Sequence, residues 1–167
     1  MDLYQAIHTR RSVRSYAKNP VSREALTRIV QAGIEAPTGC NMQLRRFIIV
    51  DDTDVIARLA EHGVTKGAPA VVVILMDPQG TPYGEFWVQD ASATMENMLL
   101  AAVAEGLGAC WVEGQVTPKE AELRKILGVP KKLRIWSVMA VGTPTKQPDR
   151  PPKPNFEDVV HFNGYGK

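Results

Sequence analysis

The sequence predicts a single mixed domain of helices and strands, with a C-terminal segment of a different kind. Three observations carry this. Apolar residues recur at helical spacing in several windows, and those windows alternate with short runs rich in Val and Ile. The length of 167 residues suits one core. From Thr143 to Pro154 five prolines interrupt the pattern before an apolar and aromatic end, Phe156, Val159, Val160, Phe162 and Tyr165. On propensity alone, the alternation suggests a parallel, doubly wound sheet.

Each element has its own reason. Asp2 can cap a first helix carrying Leu3, Tyr4 and Ile7. Ser22 is a second N-cap, followed by Leu26, Ile29, Val30 and Ile34 on one face and stopped by Pro37. Phe47 to Val50 reads as a buried strand, and Thr53 to His62 as a helix ended by Gly63. Ala70 to Met76, with three consecutive valines and no charge, is the clearest strand. A long helix from Phe86 to Glu105 carries so broad an apolar face that it must be central. Ala109 to Val112 is a short strand. Thr117-Pro118-Lys119-Glu120 has the residues of a capped helix start, and Gly128 closes that helix. Ile135 to Val141 is the last core strand. The proline-stiffened strap that follows is expected to dock on its own body or on a second subunit.

Composition excludes several classes. Apolar residues at 44% and charged residues at 23% are ordinary for a globular protein. A net charge of +2 argues against a dedicated nucleic-acid binder. Cys40 and Cys110 are too few for a disulfide scaffold or an iron–sulfur cluster and read as small packing residues compatible with reducing cytoplasm. No leader and no membrane-length apolar run is visible, so the expectation is a soluble cytoplasmic protein without a membrane partner. His8, His62 and His161 are scattered, with no metal-ligand spacing. The methionines read as core filling.

Three segments can carry chemistry. Arg10-Arg11-Ser12-Val13-Arg14 offers three guanidinium forks and a hydroxyl suited to phosphate, or else a solvated loop. Pro37-Thr38-Gly39-Cys40-Asn41-Met42-Gln43 offers two amides able to read a heterocycle edge, or else simply ends a helix. Gly106 to Gly114 puts glycines around a strand, where backbone can approach a flat ligand. Its order is wrong for a dinucleotide fingerprint, which needs the glycines to open a helix after a strand.

In this order the segments resemble the FMN-dependent nitroreductase family. The matching residues are Arg10-Arg11-Ser12-Val13-Arg14, Pro20-Val21, Ala36-Pro37-Thr38-Gly39-Cys40-Asn41-Met42-Gln43, Ala68-Pro69, Asp90-Ala91, Gly106-Leu107-Gly108, Val141-Gly142-Thr143-Pro144 and Phe156 to His161. The resemblance covers essentially the whole chain, one domain over residues 1–167. It implies an α+β fold with a central, mostly antiparallel sheet flanked by helices. It also implies that the strap, 143–167, is exchanged between the subunits of a homodimer, and we follow it over the parallel alternative.

The resemblance assigns roles residue by residue. Arg10, Arg11 and Ser12 match positions around the FMN phosphate and ribityl chain, and Arg14 a redox-tuning cation beside flavin N1 and O2. Pro37, Thr38, Gly39, Asn41 and Gln43 match a loop lent by the second subunit. Glu113 and Gly114 match a backbone pair facing N5 and O4. Lys153, or alternatively Arg150, matches a tail cation on the phosphate. No side chain is implied as a general acid: a hydride from NADH or NADPH would arrive on flavin N5, and a small acceptor such as a nitroaromatic or quinone would collect the electrons in turn. The alternative is a flavin carrier or regulator without turnover. One departure stands out: Leu44-Arg45 follows Gln43 where the family often has Pro-Trp, which alters the pocket wall.

Overall fold

Two helical layers enclose one four-stranded sheet in the computed structural model, which describes residues 1–82 and 84–167. The helices are α1 (Leu3–Thr9), α2 (Arg23–Ile34), α3 (Thr53–Ala60), α4 (Trp87–Ala104), α5 (Glu120–Leu127) and α6 (Phe156–Val159). The strands are β1 (Arg45–Val50), β2 (Ala70–Met76), β3 (Gly108–Val112) and β4 (Arg134–Gly142). They lie in the order β1-β2-β4-β3, and every pairing is antiparallel.

The parallel sheet suggested by propensity is therefore corrected, and the antiparallel α+β expectation holds. The reason lies in β2, all seven of whose residues are buried. Ala70, Val72, Ile74 and Met76 face α2 and α4, together with Leu26, Ile29, Met95 and Met98. Val71, Val73 and Leu75 face the other way, with Leu59 of α3 and Leu123 of α5. A strand covered on both faces reads as a continuous apolar run whichever way its neighbours run.

Some element details match expectation and others differ. Ser22 does cap α2, its hydroxyl accepting from Ala25 N at 3.2 Å. Asp2 makes no side-chain cap to α1. Thr117 makes none either: residues Thr117–Lys119 form a 3₁₀ turn, and α5 begins at Glu120. Glu120 turns instead to Arg124, to Arg134 and to Ile135 N, tying α5 to β4. A β-bulge at Trp136, between the Ile74–Ser137 and Leu75–Ile135 pairs, brings its ring within 5.2 Å of Trp111. The strap is not wholly extended, because α6 forms one turn within it. Among the described residues no helix is long and apolar enough to cross a membrane.

Candidate functional site

The Arg10–Arg14 segment leaves α1 and runs alongside β3. Ser12 forms a parallel bridge with Ala109, and Val13 N donates to Ala109 O at 2.9 Å. Val13 is buried, so the polar residues on either side of it are presented away from the core. Gly108 makes this approach possible: a Cβ there would sit 2.7–2.9 Å from three side-chain atoms of Val13. Tyr16 fixes the far end by donating its hydroxyl to Val13 O, and burial raises its pKa above the usual tyrosine value.

The strap supplies the opposite wall. Ala17 N donates to Thr143 O at 2.9 Å, Thr145 N to Ser15 O at 3.0 Å, and Gln147 Nε2 to Thr9 O at 3.1 Å. The start of the strap thus docks on its own body, and the chain then turns across the arginines. Between them lies an open cleft of about 540 Å³, lined by Arg10, Arg11, Ser12 and Arg14 on one side and by Asp149, Arg150 and Lys153 on the other. Five cationic side chains face two carboxylates, Glu96 and Asp149, so the cleft is built for an anion.

The cations are not equivalent. Arg11 donates to His8 O at 2.9 Å and to Arg10 O at 2.6 Å, so part of its fork closes the end of α1. Arg10 is 3.4 Å from the Glu96 carboxylate, which holds it at the cleft wall. Arg14 donates a long hydrogen bond to Ser12 O at 3.3 Å and is exposed. Arg14 also lies close to Cys110, a buried thiol whose pKa burial raises and the neighbouring Arg14 and Lys66 charges pull back.

Other expected site residues lie elsewhere in the chain. Residues 37–43 do not line this cleft. Gly39, Cys40 and Met42 border a separate, mainly apolar pocket of about 200 Å³ with Leu44, Phe86, Trp87 and Asp90. The loop is tied to α4 through Asp90, whose carboxylate accepts from Gly39 N at 2.9 Å. Glu96 borders the cleft six residues further along α4, roughly 120° around the helix at 100° per residue. Cys40 is exposed with φ 48°, which corrects its reading as a packing residue; Cys110 is buried as expected. Glu113 and Gly114 follow β3 outside the cleft lining, with the Glu113 carboxylate accepting from Trp111 Nε1 at 3.1 Å. Sequence reading missed Glu96, Asp149 and Gln147, single polar residues with no local pattern to mark them. Asp90 had a signal, an acid in the first turn of an otherwise apolar helix.

Comparison with known proteins places this geometry in a family. The Nitroreductase family model matches residues 7–64 and 62–143. A protein of Archaeoglobus fulgidus assigned as an NADH dehydrogenase/NAD(P)H nitroreductase is 36% identical over 151 residues, spanning 86% of each chain. A structure from Desulfovibrio desulfuricans, assigned as a nitroreductase and solved in complex with FMN, superposes with a TM-score of 0.86 at 33% identity, covering 97% of both chains. The NADPH:FMN oxidoreductase of Vibrio harveyi complexed with NAD+ gives a TM-score of 0.82 at 25% identity, covering 99% of this chain and 78% of that one. With a family model matched over residues 7–143 and a relative 36% identical over 86% of its length, the chain belongs to the nitroreductase family.

Proposed function

We propose that this protein is an FMN-dependent NAD(P)H oxidoreductase, active as a homodimer, that passes two electrons to nitroaromatic, quinone or similar acceptors. The observation that carries the reading is the cationic cleft, whose donor set fits a phosphate monoester. Arg10 and Ser12 would hold the phosphate from one wall, with Lys153 or Arg150 closing from the strap. Bound FMN would supply two-electron transfer between a nicotinamide nucleotide and the second substrate.

The chain's own residues position and tune. Arg14, exposed beyond Ser12, is a fixed positive charge for the ring edge that becomes electron-rich on reduction. Thr38 and Asn41 would reach the same ligand from the partner, since their loop does not meet the cleft of its own chain. Glu113 and Gly114 would offer backbone N–H groups to the ring. No side chain at the cleft is assigned proton transfer, so protons come from solvent. The two substrates would use one open site by turns, a ping-pong order.

Anaerobic rapid mixing of the flavin-loaded protein with NADH and with NADPH tests this. The expected result is loss of the oxidised flavin absorption with at least one nucleotide, and its return on a second mixing with a quinone. Flavin that stays oxidised with both nucleotides would make the protein a carrier instead.

A further inference from the structure

The loop between α2 and β1 is held in an unusual backbone. Cys40, Asn41 and Gln43 have φ of 48°, 55° and 55°, left-handed values for residues that are not glycine. Such backbone persists where surrounding contacts over-determine it. Two buried charged groups do so. Asp90 binds Gly39 N, as described above. Arg45, 5% exposed at the start of β1, donates to Ile34 O at 2.6 Å, to Thr94 Oγ1 at 3.1 Å and to Gln43 Oε1 at 2.9 Å.

These contacts impose a direction. A guanidinium has donors and no acceptor. Arg45 therefore forces Gln43 to turn its carbonyl oxygen inward and its amide nitrogen outward. Gln43 Nε2 donates in turn to Asn41 Oδ1. That leaves the Asn41 amide nitrogen facing out, with no protein partner among the described residues, on an exposed side chain. Thr94 agrees with this polarity: its hydroxyl proton goes to Asp90 O at 2.8 Å, so a lone pair meets Arg45.

We propose that Arg45 is a positioning residue that acts through Gln43 to fix Asn41 as a hydrogen-bond donor toward an acceptor atom of the flavin held by the partner subunit. Arg45 stands where, by the resemblance, the family motif often has Trp. The inference rests on the flavin reading above.

The test is FMN titration of flavin-free protein carrying Asn41→Asp, Gln43→Glu, Arg45→Met, and the Arg45→Met/Asn41→Asp pair. In Asn41→Asp the new carboxylate still accepts from Gln43 but cannot donate outward, so FMN affinity should fall about tenfold with the unfolding midpoint unchanged. In Gln43→Glu the new carboxylate still accepts from Arg45 but cannot donate to Asn41, which becomes free to turn. Affinity should fall severalfold there too, and this variant decides the matter if Arg45→Met does not fold. In the double variant the loss should not exceed that of the worse single variant. Losses that multiply, or a Gln43→Glu protein that binds like wild type, would overturn the proposal. The side-chain amide NMR signals of flavin-free wild type give a separate readout. Gln43 protons should exchange slowly and Asn41 protons fast, and the reverse order would also overturn it. If wild type takes up no FMN, the proposed function falls while these signals still decide the Arg45 relay.

Discussion

Arg10 has a carboxylate neighbour and a place on the cleft wall, so its removal should be felt by an anion more than by the fold. Its side chain is 30% exposed and pairs only loosely with Glu96. Arg10→Ala should weaken FMN roughly ten- to a hundredfold, the worth of a charge-assisted hydrogen bond of ~1.5–3 kcal/mol. Riboflavin, which lacks the phosphate, should bind as before; equal losses for both ligands would make Arg10 a structural residue. Arg14 differs because it is assigned to the ring and not the phosphate. A fixed cation there stabilises the reduced, more negative flavin over the oxidised one. If Arg14→Gln removes about 1–2 kcal/mol of that difference, the two-electron midpoint falls by roughly 20–40 mV. Spectroelectrochemical titration at matched pH reads this, and an unchanged or raised midpoint with FMN bound would take Arg14 away from the ring. Charge clustering made these arginines legible in sequence. Glu96, which meets Arg10 across 86 positions of chain, had no such signal, because only the fold brings α4 beside the segment after α1.

At the scale of elements, Gly108 decides whether the arginine segment can lie on the sheet. The Cβ of Gly108→Ala would collide with Val13 at the branch of its side chain, which has little freedom to turn away. The segment must then move, at a cost of about 1–3 kcal/mol in stability. Because the whole segment shifts, FMN and riboflavin should both weaken, unlike in Arg10→Ala. A variant with wild-type melting temperature and wild-type affinity for both ligands would show that this close approach does not set the cleft wall. The element boundaries themselves were largely legible. The unbroken Val-Ile run of β2 marks both its ends, and Ser22 marks the start of α2. Sheet direction was not legible from pattern, since burial on both faces erases the alternation that betrays an antiparallel strand; the family motifs supplied it. Nor was the loop at Cys40 legible. Its left-handed turn depends on Asp90 and Arg45, contacts that no local propensity encodes.

For the whole molecule the question is what covers the tail. Phe156, Val159, Phe162 and Tyr165 are between 58% and 93% exposed, although the rings of Phe156 and Phe162 lie 6.4 Å apart. A second subunit would bury them, and exchanged segments of this kind make interfaces of at least ~2,000 Å². Truncation after Pro154 keeps Arg150, Lys153 and the docked start of the strap but removes these residues. The shortened protein should sediment as a monomer with its body folded, and a persistent dimer would mean that the tail is not the tie. The cleft and the loop at residues 37–43 are separate in one chain, so the proposed flavin site is completed across the dimer. Mixed dimers test that most directly. One subunit carries Arg10→Ala, the other Asn41→Asp, with different tags so that the hybrid can be purified. If each site joins the arginines of one subunit to the loop of the other, one site in the hybrid receives both defects and the second receives neither. Titration should then show one FMN per dimer bound with wild-type affinity, although neither parent dimer has such a site. Two weakened sites in the hybrid, with none of wild-type affinity, would contradict this arrangement and place the whole flavin site within a single chain.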